Sequence, residues 1–123
     1  MVPPAILIAE DEADIQRLYY KALRNFGFRV TVVSTISEAQ ELLAREAFAL
    51  FLCDIHLGHE RAIPLLQQVT PQLHQAGAKI IVVSADASYH ESCLEIGVDL
   101  YLEKPVSIPT LVTFCQRLTQ QHD

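Results

Sequence analysis

An α/β domain built on a parallel sheet is what this sequence predicts, and three observations carry the prediction. Five short apolar runs alternate with five segments of helical period. Three of those runs, residues 5–9, 49–53 and 79–83, are apolar throughout apart from the opening Lys79, as suits strands covered on both faces. No long linker, low-complexity tract or charge block interrupts the alternation. Such a pattern implies right-handed crossovers and helices on both faces of the sheet. Five strands suit a flavodoxin-like, doubly wound (βα)5 arrangement of order 2-1-3-4-5, with the topological switch point between strands 1 and 3.

The elements follow in order. AILIA (5–9) is the first strand. ADIQRLYYKALRNFG (13–27) places Ile15, Leu18, Tyr19, Ala22 and Leu23 on one stripe, and Gly27 supplies a C-terminal stop. FRVTVVS (28–34) is β-branched with partial alternation, which suits an edge strand. Ser37 is the expected N-cap of SEAQELLAREAF, whose apolar positions are Ala39, Leu42, Leu43 and Ala47. The third strand, 49–53, leads into AIPLLQQVTPQLHQAG (62–77), with Pro71 a candidate kink and Gly77 its end. KIIVV (79–83) precedes a short helix, SYHESCLEIG (88–97), closed by Gly97. DLYLE (99–103) and SIPTLVTFCQRLTQQ (107–121) complete the chain, with Ser107 as cap and Pro109 in the first turn.

Composition narrows the function classes. With 123 residues the chain fits one domain, residues 1–123, with no room for an output domain of ordinary size. A domain of this length buries roughly two-thirds of its unfolded surface, enough for a core without staples. The formal net charge of −6, and the lack of any Lys/Arg run, argue against direct nucleic-acid binding. Cys53, Cys93 and Cys115 are odd in number and lack metal-ligand spacing, so they read as reduced core thiols. No apolar stretch approaches the roughly 20 residues of a membrane span, and the N-terminus lacks the pattern of a signal peptide. A cytoplasmic location is the expectation.

The chemistry lies at the strand ends. Glu10 and Asp11 follow the first strand, Asp54 the third, Ser84 the fourth and Lys104 the fifth. Ligands of open α/β sheets bind outside the carboxyl ends of the strands, so these groups are expected on one rim. Two carboxylates about 4 Å apart repel by roughly 4 kcal/mol at an effective dielectric of 20. A cluster of three therefore calls for a cation, or for some of its members to stay protonated. All-oxygen ligands without clustered Cys or His favour Mg²⁺, which takes one or two carboxylates beside phosphate oxygens. With Lys104 for charge and Ser84 for a hydrogen bond, the set suits phosphoryl transfer, and a carboxylate can itself be the acceptor.

Over nearly its whole length the chain resembles a response-regulator receiver domain of two-component signalling, through ILIAEDEADI, LFLCDIHLG, KIIVVSADAS and GVDLYLEKP. The resemblance implies that Asp54 accepts a phosphoryl group from a sensor histidine kinase or histidine phosphotransfer protein. Glu10 and Asp11 would hold Mg²⁺ together with Asp54 and the backbone carbonyl of His56. Ser84 would hydrogen-bond the phosphoryl group, Lys104 would pair with it, and Tyr101 would turn inward as the switch aromatic. A cis Lys104–Pro105 bond is implied too. His56 and Asp86 would tune dephosphorylation at the mouth of the site. Output would pass through the face of the fourth helix, last strand and last helix, to a downstream protein, a fused output domain or a second copy of the chain. The side of the first helix, with Tyr19 and Tyr20, would receive the kinase.

Two positions depart from the family's pattern. Gly58 stands where Pro is usual, which frees the loop after Asp54, and Ala62 stands where Gly is usual, as suits a first helical turn. Two other functions compete. One is a Mg²⁺-dependent phosphohydrolase, but such enzymes usually place a second Asp two residues after the nucleophile, where this chain has His56. The other is a degenerate receiver acting only as an interaction module, against which the presence of all five site groups speaks.

Overall fold

The computed structural model describes residues 2–120. Its main sheet contains β1 (Ala5–Ala9), β2 (Arg29–Val33), β3 (Leu50–Cys53), β4 (Lys79–Ser84) and β5 (Leu100–Glu103), all parallel, in the order β2-β1-β3-β4-β5. Five helices connect and follow them: α1 (Ala13–Asn25), α2 (Ile36–Arg45), α3 (Ile63–Gln75), α4 (His90–Ile96) and α5 (Ile108–Thr119). This is the flavodoxin-like, doubly wound topology expected, with β2 at an edge. The fifth helix reaches Thr119; Gln121, to which the sequence extends it, lies outside the described residues.

The period of two along each strand divides the core into two layers. Leu7, Phe51, Cys53, Ile80 and Val82 face one side, packing with Ala39, Leu66 and Cys93 from α2, α3 and α4. Ile6, Ile8, Leu50, Leu52, Ile81 and Val83 face the other, against Tyr19 and Leu23 of α1 and Leu111 and Cys115 of α5. All three cysteines are buried and free. Burial pushes the Cys115 thiol up to about 12 and raises those of Cys53 and Cys93, so all three stay protonated and unreactive.

Several local expectations change. The N-cap of α2 is Thr35, not Ser37: Thr35 Oγ1 accepts from Glu38 N at 3.1 Å, and Glu38 Oε1 accepts in return from Ser34 N. Glu38 thus answers the cap by binding the N–H of the residue before it, as in a capping box. The helix ends at Arg45, so Ala47 is exposed rather than part of the apolar stripe. Leu18 of α1 is 53% exposed, although it falls on the helix's predicted apolar stripe. Helix α3 runs through Pro71 without interruption. Ala62 takes ordinary right-handed helical angles (φ −80°), so the absence of Gly there carries no strain. Gly58 does need its freedom: at φ +62° it turns a two-rung antiparallel hairpin, His56–Leu57 with Glu60–Arg61.

Removing the Thr35 hydroxyl should destabilise the domain by about 1 kcal/mol, whereas Ser37→Ala should change stability by under about 0.5 kcal/mol. Urea unfolding of the two variants checks this, and equal midpoints would refute the assignment of the cap.

Candidate functional site at the carboxyl edge of the sheet

The sheet's ladder continues one residue beyond each strand and so fixes the site's backbone. Glu10 N donates to Val33 O at 3.0 Å, Asp54 N to Ala9 O at 3.0 Å, and Lys104 N to Ser84 O at 2.9 Å. Strand alternation then decides the faces. Glu10, Asp54 and Lys104 continue the series Ile6–Ile8, Leu50–Leu52 and Leu100–Leu102, which belong to the α1/α5 layer. Ser84 and Tyr101 continue the opposite series, toward α3 and α4. Two groups of polar residues thus flank the same rim.

On the first face, Lys104 Nζ donates to Glu10 Oε1 and to Asp54 Oδ2, each at 2.7 Å. Glu10 is 2% exposed and Asp54 8%. The second oxygen of Asp54 accepts from His56 N at 3.2 Å, and Glu10 Oε2 accepts from Glu12 N at 3.1 Å. Asp11 is exposed, and its Oδ2 accepts from Gly58 N at 2.8 Å, tying the first βα loop to the hairpin. One oxygen from each of Glu10, Asp11 and Asp54 lies within 4.8 Å of the others. Three carboxylates facing one ammonium leave a double negative charge, and the donors are all hard oxygens. That set fits a divalent hard cation such as Mg²⁺.

Electrostatics agree with the geometry. Burial pushes the Glu10 carboxyl above its usual range, against hydrogen bonds from Lys104 and Glu12. Burial alone would depress the Lys104 ammonium, but hydrogen bonds to Asp54 and Glu10 outweigh it and raise its pKa. The lysine therefore stays charged throughout the neutral range.

On the second face, Ser84 is fully buried and its Oγ accepts from Asp86 N at 3.1 Å. Asp86 caps the single 3₁₀ turn Ala87–Tyr89, its Oδ1 accepting from Ser88 N at 3.0 Å, while Oδ2 lies 3.1 Å from His56 Nε2. Hydrogen bonds from the Ser88 side chain and backbone, then from His56, hold its carboxyl below the usual range. Tyr101 is half-buried; its hydroxyl donates to Asp86 O, and its ring stacks on His90 with centroids 5.0 Å apart. The Lys104–Pro105 peptide bond is cis.

All the residues singled out from the sequence therefore lie along one edge, although Asp11 reaches the carboxylate cluster from an exposed loop. Sequence reasoning missed the extent of Asp86's contacts. The signal was present in SADAS, since an Asp two residues after a strand end and two before a Ser forms the Asx-type turns that open helices.

Fold and site together define a class: a doubly wound α/β domain with an acidic pocket, a buried lysine and a buried hydroxyl where the strand order reverses. The chain belongs to the response regulator receiver domain family, whose model matches residues 6–116. It is 30% identical over 105 residues to the response regulator protein PilR of Pseudomonas aeruginosa, covering 85% of this chain and 24% of that protein. It is 28% identical over 102 residues to the alginate biosynthesis transcriptional regulatory protein AlgB of the same species, covering 83% of this chain and 23% of that one. The chain thus spans about a quarter of the length of these relatives. Among solved structures it matches a CheY-like response regulator receiver domain protein of Methanospirillum hungatei (TM-score 0.85, 29% identity, 94% of each chain). It also matches the receiver domain of the sensor histidine kinase PA1611 of Pseudomonas aeruginosa (TM-score 0.83, 27% identity, 95% and 98% covered), solved with a magnesium ion in its active-site cleft. Receiver domains are signalling switches rather than turnover enzymes, and they bind Mg²⁺ at an acidic pocket. Among the described residues no helix is long and apolar enough to cross a membrane.

The raised Glu10 pKa makes a signed prediction. A carboxyl whose folded pKa lies above its unfolded value favours the fold only while protonated, and that contribution is lost as pH rises through the folded pKa. Without divalent cations, Glu10→Gln should be more stable than the parent at pH 7. The advantage should vanish below the ordinary glutamate value of 4.5. Urea midpoints across pH 4–7.5 in chelator test this, and a less stable variant at pH 7 would contradict it.

Proposed function

We propose that this domain is a phosphorylation-controlled switch in which Asp54 is the phosphoryl acceptor. The observation that carries the reading is the setting of the Asp54 carboxylate. It is buried, one oxygen is bonded to Lys104 and the other to the His56 N–H, and two further carboxylates stand beside it. One of its oxygens attacks the phosphorus of a phosphohistidine; the O–P bond forms, the P–N bond breaks, and the electron pair returns to the donor's imidazole. Lys104, already within reach of Asp54, balances the negative charge of the new phosphoryl oxygens. Ser84 offers its O–H, the one donor its bond from Asp86 does not use. In this reading Glu10, Asp11, Asp54 and the His56 carbonyl hold Mg²⁺, which when bound neutralises the charge of the acceptor and the phosphoryl group. His56 and Asp86, bonded across the mouth, set how readily water reaches the aspartyl phosphate.

The donor in this proposal is a sensor histidine kinase or a histidine phosphotransfer protein. An open apolar groove of about 400 Å³, lined by Ile15, Leu18, Tyr19, Pro105 and Val106, abuts Lys104. A protein presenting its phosphohistidine to Asp54 would cover that groove, and this accounts for the exposure of Leu18. The receiver unit is proposed to act in the cytoplasm and to signal through α4, β5 and α5, to a downstream protein, a fused output domain or a second copy. Relatives named as transcriptional regulators support an output in gene control. The acidic domain itself would meet proteins rather than nucleic acid.

Adding acetyl phosphate, or beryllofluoride with Mg²⁺, should shift amide resonances at Ser84, Tyr101 and α4, and Asp54→Asn should abolish the shifts. A parent protein indifferent to both reagents would refute the proposal. Mg²⁺ at a hundredfold excess over its Kd should add about 2.7 kcal/mol of stability to the parent. Asp11→Asn should lose most of that gain, as thermal unfolding with and without chelator would reveal.

A further inference from the structure

Beyond the bond from Tyr89 N to its carbonyl within the 3₁₀ turn, Asp86 makes five hydrogen bonds to four residues. Its N–H donates to Ser84 Oγ, its carbonyl accepts from the Tyr101 hydroxyl, and its carboxylate meets Ser88 N, Ser88 Oγ and His56 Nε2. Of these, only the bond to His56 crosses to the acceptor side of the rim. His56 in turn is fixed by its own N–H on Asp54 Oδ1, and its ring meets the edge of Tyr89 with centroids 5.7 Å apart. The loop between β4 and α4 is therefore tied down at a point opposite the phenol it holds.

We propose that the His56–Asp86 side-chain pair is a latch that sets the resting position of Tyr101. His56 is then a positioning residue for the switch as well as a neighbour of the acceptor. While the pair is closed, the Asp86 carbonyl stays where the Tyr101 hydroxyl can reach it, and His90 covers the outer face of the ring. The unphosphorylated domain thus keeps Tyr101 inward for much of the time, and phosphorylation has less of the transition left to drive. The latch takes its meaning from the receiver reading of Asp54, but the pair itself can be tested without a phosphoryl donor.

The test is fluorotyrosine NMR of the full chain without Mg²⁺ or phosphoryl donor, with the Tyr101 resonance assigned by Tyr101→Phe. A half-exposed side-chain hydrogen bond shifts a local equilibrium by about two- to fivefold. His56→Ala should raise the outward population of Tyr101 by that factor. His56→Phe, which keeps a ring against Tyr89 but cannot bond Asp86, should do the same. Adding His56→Ala to Asp86→Ala should move the resonance no further than Asp86→Ala alone, and a dispersed amide spectrum checks that each variant is folded. An unmoved resonance in His56→Ala, an inward Tyr101 in His56→Phe, or full additivity in the double variant would overturn the latch. Beryllofluoride with Mg²⁺ is then added to the parent. Failure to bind would defeat the receiver reading, while the resting resonances decide the latch separately.

Discussion

One ammonium group joins three strand ends in this domain. Lys104 Nζ reaches Glu10 and Asp54 at the same 2.7 Å distance, from a side chain 14% exposed to carboxylates that are 3% and 9% exposed. Leaving either carboxylate there without its ammonium partner would cost several kcal/mol, the penalty of an unpaired buried charge. The arrangement does not make the fold stable in itself; replacing such a cluster by apolar residues is often neutral or better. Its consequence is instead two nearly dry carboxylates that share one ammonium. A divalent hard cation at the rim would complete the charge balance.

The two faces of the sheet divide the labour. Residues that handle charge continue the strand series facing α1 and α5, while Ser84 and Tyr101 continue the series facing α3 and α4. A parallel sheet covered on both sides can carry a site in one layer and its readout in the other, one side chain apart. Ser84 reaches the rim because β4 runs beside β3, in register Cys53↔Val82, and ends two residues further along. Its hydroxyl thus stands at the rim, within a 3.1 Å bond of Asp86.

Most of this was legible in the sequence, for a physical reason. Continuous apolar runs on parallel strands have only one kind of topology open to them, and the switch-point rule then puts their terminal polar residues together. Alternation even decides faces: Glu10, Asp54 and Lys104 each stand two residues beyond a leucine or isoleucine of the same layer. What escaped were contacts set by loop geometry. Thr35, not Ser37, caps α2, since both offer a capping-box spacing and only the fold of the preceding loop decides between them. The hairpin at Gly58, and the His56–Asp86 bond that spans 30 residues of sequence, depend on where two loops meet in space. Strand period says nothing of that. Leu18 escaped for another reason: helical period marks an apolar stripe, but not whether a neighbour covers all of it.

The residue two beyond the acceptor separates a switch from a phosphatase. An enzyme that hydrolyses its aspartyl phosphate rapidly needs a group there to move a proton for the leaving group and for water. In this chain the position is His56, whose Nε2 is already engaged by Asp86 and whose ring lies against Tyr89. An imidazole held in that way is turned from the acceptor toward the loop that carries Tyr101. Under the latch proposal, the side chain that could shorten the life of a phosphoryl group supports the readout instead. That commitment suits a domain whose product is a conformation rather than free phosphate.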